Sequence, residues 1–164
     1  MNQLKSDDEY KFKTGHWVSD FALSPHEKYG FIYCVRFLLD NKKYIGKKAY
    51  YSYNKSGSKK VKESNWKAYQ GSSTELKNLI DEFGVEAFQF IILSECCTKS
   101  CWSYSESNLL HKVDALSVRD SLTEERIYLN KAINKVQWIP RHCKNLELFN
   151  QYAQEREASP TGCP

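Results

Sequence analysis

The stretch that most limits what this chain can become runs from Gly30 to Lys48, GFIYCVRFLLDNKKYIGKK. The run Phe31 to Leu39 is rich in aromatic and β-branched residues, which suit a pleated, half-buried surface. Asp40-Asn41 then supplies turn chemistry, because short polar side chains bond their own backbone and tolerate unusual dihedral angles. Tyr44 opens a second short strand, Y-I-G, that ends at Gly46, where the backbone needs freedom or a ligand comes close. The prediction is a two-stranded hairpin with a tyrosine on each strand, Tyr33 and Tyr44. An aromatic hairpin inside an ordinary small α+β core would read the same way.

A chain of 164 residues predicts one domain with a proper core. No apolar stretch approaches the roughly 20 residues needed to span a bilayer, and MNQLKSDDEYKFK has no apolar signal-peptide core. The expectation is a soluble, cytoplasmic protein with no membrane partner. Net charge is a modest +4, but nine lysines and a single acid, Glu63, fall between Lys42 and Lys67. Such a block attracts polyanions, and Tyr50, Tyr51, Tyr53, Trp66 and Tyr69 are interleaved with it. Nucleic-acid contact is therefore weighed against a merely solvated, lysine-rich loop.

Six cysteines are present: Cys34, Cys96, Cys97, Cys101, Cys143 and Cys163. With nothing to indicate export, a disulfide framework is not expected. Cys96-Cys97 and Cys101, with His142-Cys143, offer a zinc alternative, but without the tight C-x2-C pairs of structural zinc. Reduced, non-ligating thiols are the expectation, with Cys34 a small buried hydrophobe.

Residues 1–28 carry Tyr10, Phe12, Trp17 and Phe21 without a clean period and read as an extended arm. Tyr50 to Asn65 reads as a long basic loop, of a length that is usually functional or disordered. Ser72 and Glu75 have capping-box spacing ahead of Leu76, Leu79, Ile80 and Phe83, one apolar helix face that stops at Gly84. Phe88–Leu93 is a strong strand. Further helices are expected over about Tyr104–Leu116, Thr123–Ile133 and Asn145–Arg156.

Four motifs in this order carry a resemblance: F-I-Y with Y-I-G, W-K-A-Y-Q-G-S-S (Trp66–Ser73), Y-S-E (Tyr104–Glu106) and Y-L-N (Tyr128–Asn130). Over about Tyr29 to Asn134 the chain resembles the GIY-YIG nuclease superfamily, most closely the small phage-encoded Seg-like homing endonucleases. It departs in having Phe31 directly before Ile32-Tyr33, with the glycine one place earlier at Gly30. The resemblance implies an α+β fold, a small three-stranded, mainly antiparallel sheet flanked by helices, with a nuclease domain at 29–140 and a C-terminal helix and tail at 141–164.

For function, the resemblance implies hydrolysis of DNA phosphodiester bonds with Mg²⁺ (or Mn²⁺) held by Glu106. A lone carboxylate suits a hard cation that keeps several waters, although Ser103 and Glu106 also have capping-box spacing. Tyr33 is the implied general base. Its ordinary pKa is near 10, so Lys47 or Lys48 is expected to favour the phenolate or orient it. Tyr44 supports it, and Asn130 matches a late asparagine near the metal helix. Family members commonly carry an arginine after Y-I-G. No arginine lies between Arg36 and Arg119, so Lys47, Lys48, Lys59, Lys60 or Lys62 must serve, without arginine's fork geometry. Lys55, Lys59, Lys60, Lys62, Trp66 and Lys67 are the expected DNA contacts. One metal implies one strand cut per site, so duplex cleavage implies a homodimer or two events. The competing readings are a non-catalytic nucleic-acid-binding protein on the same fold, and a structural or host-interaction protein with buried tyrosines.

Overall fold

The tyrosine hairpin forms one side of a sheet in the computed structural model, which describes residues 5–56 and 59–137. The described residues form β1 (Phe12–Thr14), β2 (Trp17–Ser19), β3 (Gly30–Phe37), β4 (Lys43–Ala49), β5 (Tyr51–Tyr53), β6 (Lys60–Glu63), α1 (Thr74–Phe83), β7 (Phe88–Cys96) and α2 (Lys99–Lys112). The main sheet has the order β1-β2-β7-β3-β4, with β2 parallel to β7 and the other neighbours antiparallel. The α+β class holds. The sheet is larger than the expected three strands, because β1 and β2 add to the far side of β7.

Every residue of β3 is buried, because the sheet is covered on both faces. Successive side chains of a strand point to opposite faces. Phe31, Tyr33, Val35 and Phe37 therefore join Leu76 and Ile80 of α1 in one core, with Trp17, Tyr50 and Trp66. Ile32 and Cys34 join Leu109 and Leu110 of α2 in the other, with Cys96 and Cys101. That two-sided burial explains why F-I-Y-C-V reads as a continuous apolar run rather than an alternation.

Several local expectations are corrected. Residues 12–19 are sheet strands rather than a loose arm, and Trp17 and Val18 are buried in them. The basic loop is a second, two-stranded sheet, β5 paired antiparallel with β6. Ser73, not Ser72, caps α1, its hydroxyl accepting from the Leu76 N–H at 3.3 Å. Glu75 turns instead to Arg126 and Lys131, each at about 3 Å. Helix α2 starts five residues earlier than expected, capped by Thr98, which accepts from the Cys101 N–H at 3.1 Å.

The segment expected as a helix over 123–133 is not helical: it begins in a turn that brings Arg126 against Arg119, and then runs along β4. Residue 128 bridges Lys43 in parallel, with the Lys43 N–H donating to the Ile127 carbonyl and the Leu129 N–H donating to that of Lys43. It covers the start of the exposed edge of β4, satisfying backbone groups that an edge strand otherwise presents to other chains. The tail helix, His142, Cys143 and Cys163 lie outside the described residues.

Candidate active site

Tyr33 sits where three features of the backbone meet. It pairs with Gly46 of β4. The register of β3 against β7 slips between Ile32 and Tyr33, passing over Leu93; such bulges re-aim the side chains beside them. Gly46 leaves room for the ring: a Cβ there would stand 2.6 Å from Tyr33 Cζ and closer still to its hydroxyl oxygen. The phenol thus lies across the backbone of β4, the outer strand of the sheet. A Cβ on Gly71 would stand 3.7 Å from the same hydroxyl, and Gly71 has φ +118°, a conformation that favours glycine.

Around that phenol stand Trp17 at 5.2 Å, Tyr69 at 6.1 Å and Tyr44 at 6.2 Å between ring centroids. Burial pushes the Tyr33 pKa well above 10; the neighbouring Tyr69 and Tyr44, a hydrogen bond with Tyr69, and the charge of Glu106 push the same way. The expected phenolate, favoured by a lysine, is therefore not what the surroundings select. Tyr44 shares its hydroxyl with Ser72 Oγ at 3.1 Å, and burial raises its pKa too.

Alternation along β4 divides the lysines. Lys48 lies on the tyrosine side, donating to Asn65 Oδ1 at 2.8 Å and lying 4.1 Å over the Tyr69 ring, with its pKa lowered by burial. Lys47 lies on the opposite side with Ile45, and reaches Glu106. Its Nζ is 3.0 Å from Glu106 Oε2, 3.2 Å from Ser103 Oγ and 4.7 Å from the Trp102 ring centre. Both ends are largely shielded, at 16% and 11% side-chain exposure. Asn134 Nδ2 also approaches Oε2, at 3.4 Å. Because Thr98 performs the capping, Glu106 lies in the body of α2 rather than at its start, and the capping alternative falls away. Its charge also raises the pKa of both Tyr33 and Tyr44, as the smallest of the causes in each.

Asn130 is placed differently from expectation. Its Oδ1 accepts from the Ile45 N–H at 3.0 Å and its Nδ2 donates to the Ile45 carbonyl at 2.7 Å. The side chain thereby extends the 127–129 bridge by one more rung along β4. It is Asn134, four residues on, that stands beside Glu106. Trp66, an expected DNA contact, is instead a core residue, 2% exposed, packed edge-on to Tyr50 at 5.0 Å, with its N–H donated to Glu63 at 2.9 Å. Lys55, Lys59, Lys60 and Lys62 are exposed around β5 and β6. Lys60 lies over the Tyr51 ring and Lys67 pairs with Glu63 at 3.1 Å. The missed members are Asn134, Ser103, Trp102 and Tyr69. Tyr69 had a signal, inside the Trp66–Ser73 motif, and Ser103 had one in its capping-box spacing with Glu106.

A family model described as "Putative endonuclease segE, GIY-YIG domain" matches residues 16–133, well over half of the chain. The chain belongs to the Seg-like GIY-YIG nuclease family. No curated protein and no solved structure matches it. Within this GIY-YIG domain, the departure at Phe31 is absorbed by the core, where Phe31 is fully buried against Trp17 and Tyr50. Gly30, one place earlier, is needed for space, since a Cβ there would stand 2.8 Å from Ala49 Cα and 3.0 Å from Trp102 Nε1.

Of the lysines expected to serve for the absent family arginine, Lys47 is the one that reaches Glu106. Arg36 is buried at the other end of β3, bonded to Gln89, and Arg119 donates to the backbone carbonyls of Ser117 and Val118. The donor chemistry also fits a single hard cation. The described residues hold no group of three or more His, Cys, Asp or Glu able to cage a metal. Glu106 instead offers one carboxylate whose described contacts fall on Oε2, beside the Ser103 hydroxyl, the arrangement of a cation that keeps most of its waters.

Proposed function

We propose that this GIY-YIG protein is a DNA endonuclease of the phage type, homing or host-DNA-cleaving, that hydrolyses phosphodiester bonds with Mg²⁺ (or Mn²⁺). The observation that carries this reading is the Lys47–Glu106 pair, 3.0 Å long, set at the strand where the Tyr33 and Tyr44 phenols lie. Glu106 would hold the metal, which when bound supplies Lewis-acid stabilisation of charge on the phosphate. Lys47 places a fixed cation beside that phosphate, which stabilises the charge that grows in the transition state. Tyr33, held neutral by burial, orients water through its hydroxyl rather than acting as a phenolate. Tyr44 and Ser72 offer a hydroxyl pair to a phosphate oxygen.

The basic hairpin β5–β6 gives the DNA a second hold. A two-stranded ribbon fits the major groove, and Lys55, Lys59 and Lys62 stand exposed on this one to meet phosphates. With one carboxylate per chain at the site, two copies or two events cut a duplex. No helix among the described residues is long and apolar enough to cross a membrane.

Two observations favour the second reading, a non-catalytic nucleic-acid-binding protein. Glu106 is already neutralised by Lys47, and the family arginine is absent. Supercoiled plasmid with Mg²⁺ separates the two. Nicking by the protein supports the nuclease, whereas salt-sensitive binding without nicking at any Mg²⁺ or Mn²⁺ concentration supports the binding protein.

A further inference from the structure

We infer that Lys47 is the resident cation of the Glu106 site and makes metal binding depend on the arrival of a phosphate. This rests on Glu106 being the metal-holding carboxylate proposed above. The ammonium is locked in place from three sides: Glu106 Oε2 at 3.0 Å, Ser103 Oγ at 3.2 Å and the face of Trp102 at 4.7 Å. Trp102 is itself fixed, its N–H donating to the Phe31 carbonyl at 3.2 Å. The shielding of both charged groups strengthens their attraction relative to a surface pair.

A divalent cation approaching Glu106 meets an ammonium already on the same oxygen. In the free protein it must either displace that ammonium or accept its repulsion, so affinity for metal alone is low. A DNA phosphodiester changes the balance, because its oxygens take up positive charge from Lys47 and offer ligands to the metal together. Metal and DNA then bind with positive coupling, and each tightens the other by the same factor. The consequence is a site that loads its metal on substrate rather than in solution.

The coupling is read by titrating Mn²⁺ alone into the full-length protein and following free Mn²⁺ by electron paramagnetic resonance, with no DNA present. Lys47→Met keeps the aliphatic stem against Trp102 and removes the charge, and it is expected to bind Mn²⁺ at least about tenfold more tightly than wild type, within the usual range for coupled sites. Lys47→Gln is the second uncharged variant, used should the first fail to fold, and is expected to behave likewise. Lys47→Arg keeps the charge and should bind as weakly as wild type. Adding Glu106→Gln to Lys47→Met should abolish the gain.

Equal or weaker Mn²⁺ binding by the uncharged variants overturns the inference, and nicking of plasmid by the wild-type protein leaves the nuclease reading in place. No Mn²⁺ binding by any variant overturns the inference and Glu106 as the metal-holding residue together.

Discussion

Replacing Gly46 by alanine is the sharpest perturbation the site allows, because the ordinary expectation has the opposite sign. Glycine inside a strand costs roughly 0.5–1 kcal/mol relative to alanine, and Gly46 has no left-handed φ that would excuse it. Elsewhere in a strand the change would stabilise. Here the new Cβ falls 2.6 Å from Tyr33 Cζ and 3.1 Å from Tyr44 Cε1. Tyr33 cannot swing aside, being 1% exposed and boxed in by Trp17, Tyr69 and Tyr44. Overpacking of this kind costs about 1–3 kcal/mol, so after the glycine-to-alanine gain a net loss of about 1 kcal/mol is expected, a fall in melting temperature of roughly 2–4 °C for a chain of this size. Calorimetry and urea unfolding measure it. The same change in a Tyr33→Leu background should cost little, because the ring that clashes is gone; the double-mutant coupling should be about 2 kcal/mol. If Gly46→Ala melts at or above the wild-type temperature, the ring does not lie across β4 as described, and the Tyr33 hydroxyl is not held where the site requires it.

Four further outcomes follow from the geometry. Burial holds the Tyr33 and Tyr50 phenols protonated in the fold and pushes Tyr10 up to about 12. The unfolded chain releases those protons near pH 10. Stability should therefore be fully present below about pH 9 and fall as pH rises through 10 and beyond; urea midpoints measured against pH would show it, with a shallower fall in Tyr33→Phe. Removing Lys55, Lys59 and Lys62 together should flatten the dependence of DNA affinity on salt by about 0.9 in log–log slope for each phosphate that is no longer neutralised, read by fluorescence anisotropy. Trp66→Ala should instead cost about 3–5 kcal/mol of stability as a core deletion. Asn130→Ala removes both partners of the Ile45 backbone and should cost about 1–3 kcal/mol, seen in urea unfolding.

The hairpin was legible because its signal is local: two short strands, a polar turn and two tyrosines whose spacing sets their register. Helix α1 was legible for the same reason, since an apolar face at i, i+3, i+4 and i+7 needs no knowledge of the rest of the chain. Glu106 was legible only through the resemblance, because α2 buries Ser105, Glu106 and Ser107 together with Cys101, Leu109 and Leu110, and so lacks a clean apolar stripe. What escaped the sequence depended on distant partners. Strands β1 and β2 are three residues each and are held by Trp17 and Val18 pairing with β7 far along the chain. The helical pattern read at 123–133 gave way to a bridge with Lys43, a contact no local period reports. Asn134, rather than the expected Asn130, reaches Glu106 because the choice between them depends on how that segment runs along β4. The pairing of Lys47 with Glu106 follows from strand alternation, which puts Ile45 and Lys47 on the α2 face and Lys48 on the other, and it could have been anticipated once α2 was known to cover that face.

The central claim is that Glu106, paired with Lys47, is the chemical centre of a nuclease. Supercoiled plasmid nicking by Glu106→Gln in Mg²⁺, with DNA affinity measured in parallel in EDTA, tests it most directly. The expected result is nicking lost to background while DNA affinity and melting temperature show a folded, binding-competent protein. Nicking by Glu106→Gln at the wild-type rate would contradict the account.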